Sequence, residues 1–180
     1  DLVEGGVLVV NVDEFTEANL QRAKWKDNPL ESGALDRYRL YQVPITKQTV
    51  EAVKEAGLGM KESVRCRNFY VLGLIYWLFD RPLTATLNWI STRFGKYPQL
   101  ASANTLALKA GYNFGNTAEI FPVRYRINRA KLPPGRYRSL TGNQAVALGL
   151  IAAARLANKP LVYCSYPITP ASDILHDLSL

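Results

Sequence analysis

The segment Tyr166-Pro167-Ile168-Thr169-Pro170 carries the residues of this chain best placed to do chemistry. Two prolines three residues apart hold φ near −65° at Pro167 and Pro170 and push Tyr166 and Thr169 toward extended backbone, so the sequence prescribes the turn's shape. The apolar run 161–165 before it reads as a strand. A helix is expected from about Ala171, with Thr169 as its N-cap, Pro170 in the first position and Asp173 complementing the dipole. Where a strand ends and a helix begins, open α/β sheets take ligands, and free N–H groups favour an anion such as a carboxylate. On the plainer reading Thr169 only caps its own helix and the prolines shape an ordinary connection.

Other candidates are few. Cys66 and Cys164 stand far apart and outside any Cys-x-x-Cys pair, which argues against a disulfide framework or a thiolate-held metal and suits a reducing, cytoplasmic setting. The single histidine, His176, has no second ligand at metal-binding spacing, so no metal is expected on this chain. The formal net charge of +7 is concentrated at Arg124, Arg126, Arg129, Lys131, Arg136 and Arg138, interleaved with Tyr125 and Tyr137. Basic residues among aromatics can track a phosphate backbone and stack bases. A solvated or subunit-facing linker accounts for the same residues, and no nucleic-acid partner is expected.

The elements that must position these groups are legible in outline. At 180 residues, 48% hydrophobic and 21% charged, the chain can bury one sizeable core or two small ones as a soluble globular protein. Residues 7–10 form a continuous β-branched run, as in a strand buried on both faces of a parallel sheet. A second strand over 38–43 leads through Pro44 into a helix with Thr46 as N-cap, an Ile45/Val50 staple and Gly57 beyond its end. Helices are expected over 69–79, 84–94 and 98–109, the last stopping at Gly111. The 69–79 run falls short of the ~20 apolar residues of a membrane span, so it reads as a buried core helix and no membrane partner is expected. Residues 121–139, rich in Pro and Arg without an apolar period, read as a linker. Residues 143–157 are expected to form a helix buried on most sides, stopped by Asn158 and Pro160. The first residues show no targeting pattern, and the chain is expected to be a fragment, since it starts and stops inside elements.

The string Ser165-Tyr166-Pro167-Ile168-Thr169-Pro170-Ala171-Ser172 closely resembles the Tyr-Pro-Ile-Thr-Pro signature of the pyrimidine-binding domain of 2-oxoacid:ferredoxin oxidoreductases. Thr141-Gly142-Asn143-Gln144-Ala145 is similar to the Gly-Asn-x-Ala helix start of that domain. Upstream, Arg67-Asn68-Phe69-Tyr70-Val71-Leu72-Gly73 and Leu108-Lys109-Ala110-Gly111-Tyr112-Asn113-Phe114-Gly115 resemble the later part of the family's gamma domain. The resemblance implies an α/β fold in three parts. Residues 1–120 would be the C-terminal part of a Rossmann-like gamma domain, 121–139 a linker, and 140–180 the start of a thiamine-diphosphate-type pyrimidine-binding alpha domain. This fused order resembles the alpha subunit of the 2-oxoglutarate enzyme more than the separate chains of many pyruvate enzymes.

In that family a 2-oxo acid is oxidatively decarboxylated on thiamine diphosphate, coenzyme A accepts the acyl group, and electrons pass through an iron-sulfur cluster to ferredoxin. The resemblance implies that Thr169 hydrogen-bonds the 2-oxo-acid end of the substrate, with Tyr166, Pro167, Ile168 and Pro170 shaping the wall beside the thiazolium ring. It implies no catalytic residue on this chain. The glycine-rich opening of the gamma domain and the alpha-domain carboxylate that touches the aminopyrimidine ring are absent from the sequence. In the fused arrangement the resemblance implies that the cluster cysteines and the diphosphate-binding motif lie on a partner beta subunit, so thiamine diphosphate, Mg2+ and the [4Fe-4S] cluster are expected mainly there, with this chain inactive alone. The competing expectation is a non-enzymatic α/β assembly module docking a partner through the 69–79 helix and the basic linker.

Overall fold

In the computed structural model the polypeptide is described over residues 2–128 and 130–179, so Arg129 of the basic run lies outside the described residues. The chain divides into two compact units, Asp1–Arg129 and Ala130–Leu180.

The first unit is a mixed α/β layer built on a two-stranded parallel sheet. Strand β1 (Val7–Asn11) pairs in register with β2 (Arg39–Val43), Val9 opposite Tyr41. The helix α1 (Glu17–Arg22) lies between them in sequence, its first turn capped by the Thr16 side chain, which accepts from the Asn19 N–H. The run 7–10 is only half-buried, against the expectation of burial on both faces, because β1 and β2 are the only strands among the described residues.

After Pro44 the chain enters α2 (Ile45–Ala52), and a short 3-10 turn (Lys54–Ala56) ends at Gly57, whose φ of 68° lies where a glycine is favoured. Thr46 does not cap α2. The caps come from the end of β1 and the 3-10 turn after it: Asn11 Oδ1 accepts from the Ile45 and Thr46 N–H groups at 2.9 and 3.3 Å, and Asp13 Oδ2 accepts from Lys47 N–H at 2.8 Å. Thr46 instead takes a bond from Asn11 Nδ2 at 2.8 Å and donates to Glu14, which also pairs with Arg67. Orphan donors at the helix start are thus satisfied by side chains more than thirty residues earlier, and this locks α2 to the sheet.

Helices α3 (Met60–Arg65), α4 (Arg67–Leu78), α5 (Thr84–Arg93) and α6 (Pro98–Thr117) complete the unit. The core lies between α4 and α6, where Tyr70, Leu74, Trp77, Leu78, Ala103 and Ala107 are buried. The α6 helix does not stop at Gly111 but runs through it and through Gly115. Both glycines are spacers at the helix contact: a Cβ on Gly111 would strike the Tyr70 carbonyl, one on Gly73 the Leu108 carbonyl, and one on Gly115 the Trp77 ring at 2.6 Å. Burial on this scale explains why glycine survives in mid-helix despite its cost of about 1 kcal/mol.

Residues 121–125 lie against the same helix pair. Phe121 is buried between Tyr41 and Trp77, Tyr125 N–H donates to Leu78 O at 2.7 Å, and the Tyr125 ring stacks on Phe79. Arg124 donates to Trp77 O and pairs with Asp80 at 2.9 Å.

The second unit contains α7 (Gly142–Ala157) packed on α8 (Ser172–Leu178). Asn158, at φ 52°, ends α7 as the sequence predicts. Only Ala147 of α7 is buried, and Leu156 is 89% exposed, so the expectation of a helix covered on most sides is overturned. Among the described residues of this unit, α8 is the one other helix available to cover it. The strand expected over 161–165 is coil, with no neighbouring strand among the described residues to accept its hydrogen bonds. No helix among the described residues is long and apolar enough to cross a membrane.

Candidate functional site

Two segments that stand apart in sequence meet at the start of α7. Thr141 caps the helix, its hydroxyl accepting from Gln144 N–H at 3.2 Å while Gln144 Oε1 accepts from Thr141 N–H at 3.2 Å. The reciprocal pair satisfies two of the orphan donors at the helix start. The sequence carries the signal for this cap as Thr-x-x-Gln. The box sets Asn143 in the first turn, and its Nδ2 donates to the Pro170 carbonyl at 2.9 Å across 27 residues.

The Tyr166–Pro170 segment is a held turn. Ile168 O accepts from both the N–H and the hydroxyl of Ser172, at 3.0 and 3.2 Å, and Pro170 O accepts a second bond from Asp173 N–H at 3.2 Å. Because Ile168 O folds the chain back through Ser172, Thr169 sits inside a turn and not at a helix entrance. The helix begins two residues after Pro170, preceded by Ala171, with no side-chain cap. The expected roles of Thr169 as N-cap and Pro170 as first helical residue are therefore corrected.

The expected anion pocket of free N–H groups is corrected with them, since the N–H groups of Ser172, Asp173 and Ile174 all donate to carbonyls of the turn. What the turn does offer is a side-chain donor. Thr169 is exposed, and its hydroxyl has no hydrogen bond to any described residue. An exposed hydroxyl on a backbone fixed at Ile168 and Pro170 can donate to an anionic ligand with little ordering cost. Tyr166 (81% exposed), Pro167, Ile168 (58%) and Pro170 form an open wall beside it.

The remaining chemistry-bearing residues are not gathered here. Cys66 is buried in the first unit with Sγ 3.5 Å from Glu62 O, and burial, then the Glu62 charge, pushes its thiol pKa up. Cys164 is exposed and unbridged. Among the described residues no group of three or more His, Cys, Asp or Glu converges as a metal site. Elsewhere, Tyr70 donates to Gln48 Oε1 at 2.7 Å beside a hollow of about 450 Å³ that Lys47 and Glu51 also line; burial raises the Tyr70 pKa, keeping it a donor.

Residues 1–114 match the model of the family described as pyruvate ferredoxin/flavodoxin oxidoreductase. Over 179 residues, 99% of its length, the chain is 48% identical to the 2-oxoglutarate oxidoreductase subunit KorA of Mycobacterium tuberculosis, of which it spans 27%. No solved structure matches it significantly.

Proposed function

The chain belongs to the pyruvate ferredoxin/flavodoxin oxidoreductase family, and we propose that it forms part of the large, cofactor-poor subunit of a 2-oxoacid:ferredoxin oxidoreductase acting on 2-oxoglutarate. The complete enzyme would convert the 2-oxo acid and coenzyme A to succinyl-CoA and carbon dioxide, with the electrons leaving to ferredoxin. The observation that carries this reading is the Asn143 bond to the Pro170 carbonyl, which joins the two motifs of the pyrimidine-binding resemblance on one surface. The name of the mycobacterial relative and its unbroken match across both units favour the fused 2-oxoglutarate arrangement.

Within this reading residues 1–120 are the later part of a Rossmann-like gamma domain, 121–139 the joint, and 140–180 the start of the alpha domain. The parallel β1–β2 pair and the capped start of α7 support that division. Thr169 donates its hydroxyl to the acid end of the substrate, and Tyr166, Pro167, Ile168 and Pro170 supply one wall of the site. Thiamine diphosphate, when bound, supplies the electron sink that 2-oxo-acid decarboxylation needs. The residues present do not form a cradle for it: the turn is open, and its backbone donors are already spent on Ile168, Pro170 and Ala171. Following the family resemblance, we assign the diphosphate, Mg2+ and cluster contacts to a partner beta subunit, and the cysteine usage suits a reducing, cytoplasmic setting.

The test is the complete reading frame co-produced with its beta subunit and loaded with thiamine diphosphate and cluster. Methyl viologen reduction dependent on both 2-oxoglutarate and coenzyme A is expected. Reduction with pyruvate but not 2-oxoglutarate would overturn the substrate, and no reduction with any 2-oxo acid would overturn the reading.

A further inference from the structure

Helix α4 ends in a hydrogen-bonded reversal: Arg81 N–H donates to Tyr76 O at 2.8 Å and Asp80 N–H to Trp77 O at 3.2 Å. The left-handed residue of such a turn is most often glycine, and here it is Asp80, at φ 50°. A carboxylate in this position faces the negative end of the helix dipole, so neither the backbone nor the dipole favours it. Its partner accounts for it. Arg124 donates to Asp80 Oδ1 at 2.9 Å and, through Nε, to Trp77 O at 3.1 Å, with the guanidinium 5.1 Å from the centre of the Trp77 ring.

Residues 121–125 form no regular element, yet they are held at both ends. Phe121, 7% exposed, sits between Tyr41 of β2 and Trp77 of α4. Tyr125 N–H donates at 2.7 Å to Leu78 O, one of the carbonyls that a helix end leaves without an intrahelical partner. Beyond it the N–H groups of Arg126, Ile127 and Asn128 donate to no backbone carbonyl among the described residues. The held backbone therefore ends at Tyr125, inside the stretch 121–139 that the sequence marks as a linker.

We propose that residues 121–125 are a strap, held closed on the end of α4 by the Asp80–Arg124 pair, that opens while α4 stays folded. Closed, the strap starts the joint at Arg126. Open, it adds five residues to the joint, about 17 Å of reach at roughly 3.4 Å per extended residue. The strap is held by one buried ring, by two hydrogen bonds to carbonyls at a helix end, and by an ion pair whose side chains are 41% and 53% exposed. Helix α4 is held along its length by the buried contact with α6. Few buried contacts and an exposed ion pair make the strap the part that opens at the lower free energy. All of its contacts lie within the first unit, and the inference is independent of the oxidoreductase reading.

The test is amide hydrogen exchange of the 180-residue chain, resolved by NMR, with protection taken relative to each residue's unstructured rate and Leu74 N–H reporting on α4. Tyr125 N–H should be protected about tenfold or more over Ile127 N–H, and less than Leu74 N–H. Asp80→Gly should lower the Tyr125 protection about two- to fivefold, the worth of an exposed ion pair, and leave that of Leu74 unchanged or higher, since glycine suits the left-handed turn. Arg124→Gln should lower it at least as much, and adding Asp80→Gly to Arg124→Gln should lower it no further. Tyr125 exchanging like Ile127 in the unaltered chain, no change at Tyr125 in Asp80→Gly, an equal fall at Tyr125 and Leu74, or a full effect of Asp80→Gly on top of Arg124→Gln would each overturn the proposal.

Discussion

Replacing Gly111 with alanine tests the helix contact on which the first unit depends. In an exposed helix the change would stabilise by about 1 kcal/mol, because alanine loses less backbone freedom on folding. Here the new Cβ would lie 2.7 Å from the Tyr70 carbonyl carbon and 3.1 Å from the Leu74 nitrogen, where ordinary contact begins at 3.4 Å. These are backbone atoms of α4 and the Tyr70 carbonyl oxygen lies closer still, so no rotamer change relieves the clash and the helices must part by more than about 1 Å at that point. A gap of even about 0.5–1 Å forfeits roughly a quarter to a half of each contact's well of about 0.1–0.2 kcal/mol. Over some tens of atom pairs between α4 and α6 the loss is at least on the order of 3 kcal/mol, leaving a net destabilisation of at least about 2 kcal/mol after the propensity gain. Trp25, Trp77 and Trp89 all lie in the first unit, so urea unfolding followed by tryptophan fluorescence reports this unit alone. Gly149→Ala in α7, where a Cβ meets nothing within 4 Å, is the control and should stabilise the second unit when followed by circular dichroism. If Gly111→Ala raises the urea midpoint instead, the close approach of α4 and α6 is refuted.

Asn11→Ala should cost about 1–3 kcal/mol in the same fluorescence assay, because it strips the cap from two N–H groups of α2 at once; an unchanged midpoint would assign the capping to Asp13 alone. Cys66 and Tyr70 both have raised pKa values, so between the ordinary and the raised value the folded state binds more protons than the unfolded one, and stability falls as pH rises. The contribution is intact below the ordinary thiol pKa of about 8.5 and is lost above it, so the urea midpoint should decline from there upward, with Cys66→Ala flattening the first part of the decline. At neutral pH a maleimide reagent should modify Cys164 in the native chain and Cys66 only after denaturation, by mass spectrometry. In the complete enzyme Thr169→Val should lower kcat/KM on the order of 10- to 150-fold, the worth of a hydrogen bond to a charged group, while Thr169→Ser stays within about tenfold; wild-type turnover by both would move the substrate contact elsewhere.

The elements with a strong local signal were legible, and those whose shape depends on distant partners were not. The β-branched run 7–10, the apolar run 69–79 and the Ala-rich run 143–157 each announce their type through composition and period. Gly111 misled because glycine marks a helix end only when nothing needs its missing Cβ, and here Tyr70, forty-one residues earlier, needs it absent. Thr46 misled for a similar reason: Asn11 and Asp13 reach the α2 start first, and no spacing rule within the helix reveals them. The run 161–165 has a strand's composition but lacks a neighbour among the described residues. For the candidate site, both motifs were visible by resemblance, while the Asn143 tether between them was not, since a hydrogen bond across 27 residues has no local signature.

That tether explains why an asparagine suits the first turn of α7. The Pro170 carbonyl already accepts from Asp173 N–H within its own turn, so its second lone pair faces outward and needs a donor from elsewhere. An aspartate at 143 would bring only acceptors, and an alanine none, whereas the amide donates to Pro170 from a helix whose entry is fixed by Thr141 and Gln144. Positioning therefore flows from the capping box to Asn143, from Asn143 to the Pro170 carbonyl, and from there to the Thr169 hydroxyl one residue earlier. The hydroxyl is left exposed while the backbone beside it is held at both Ile168 and Pro170, an arrangement suited to binding a ligand and of little use for stabilising the fold.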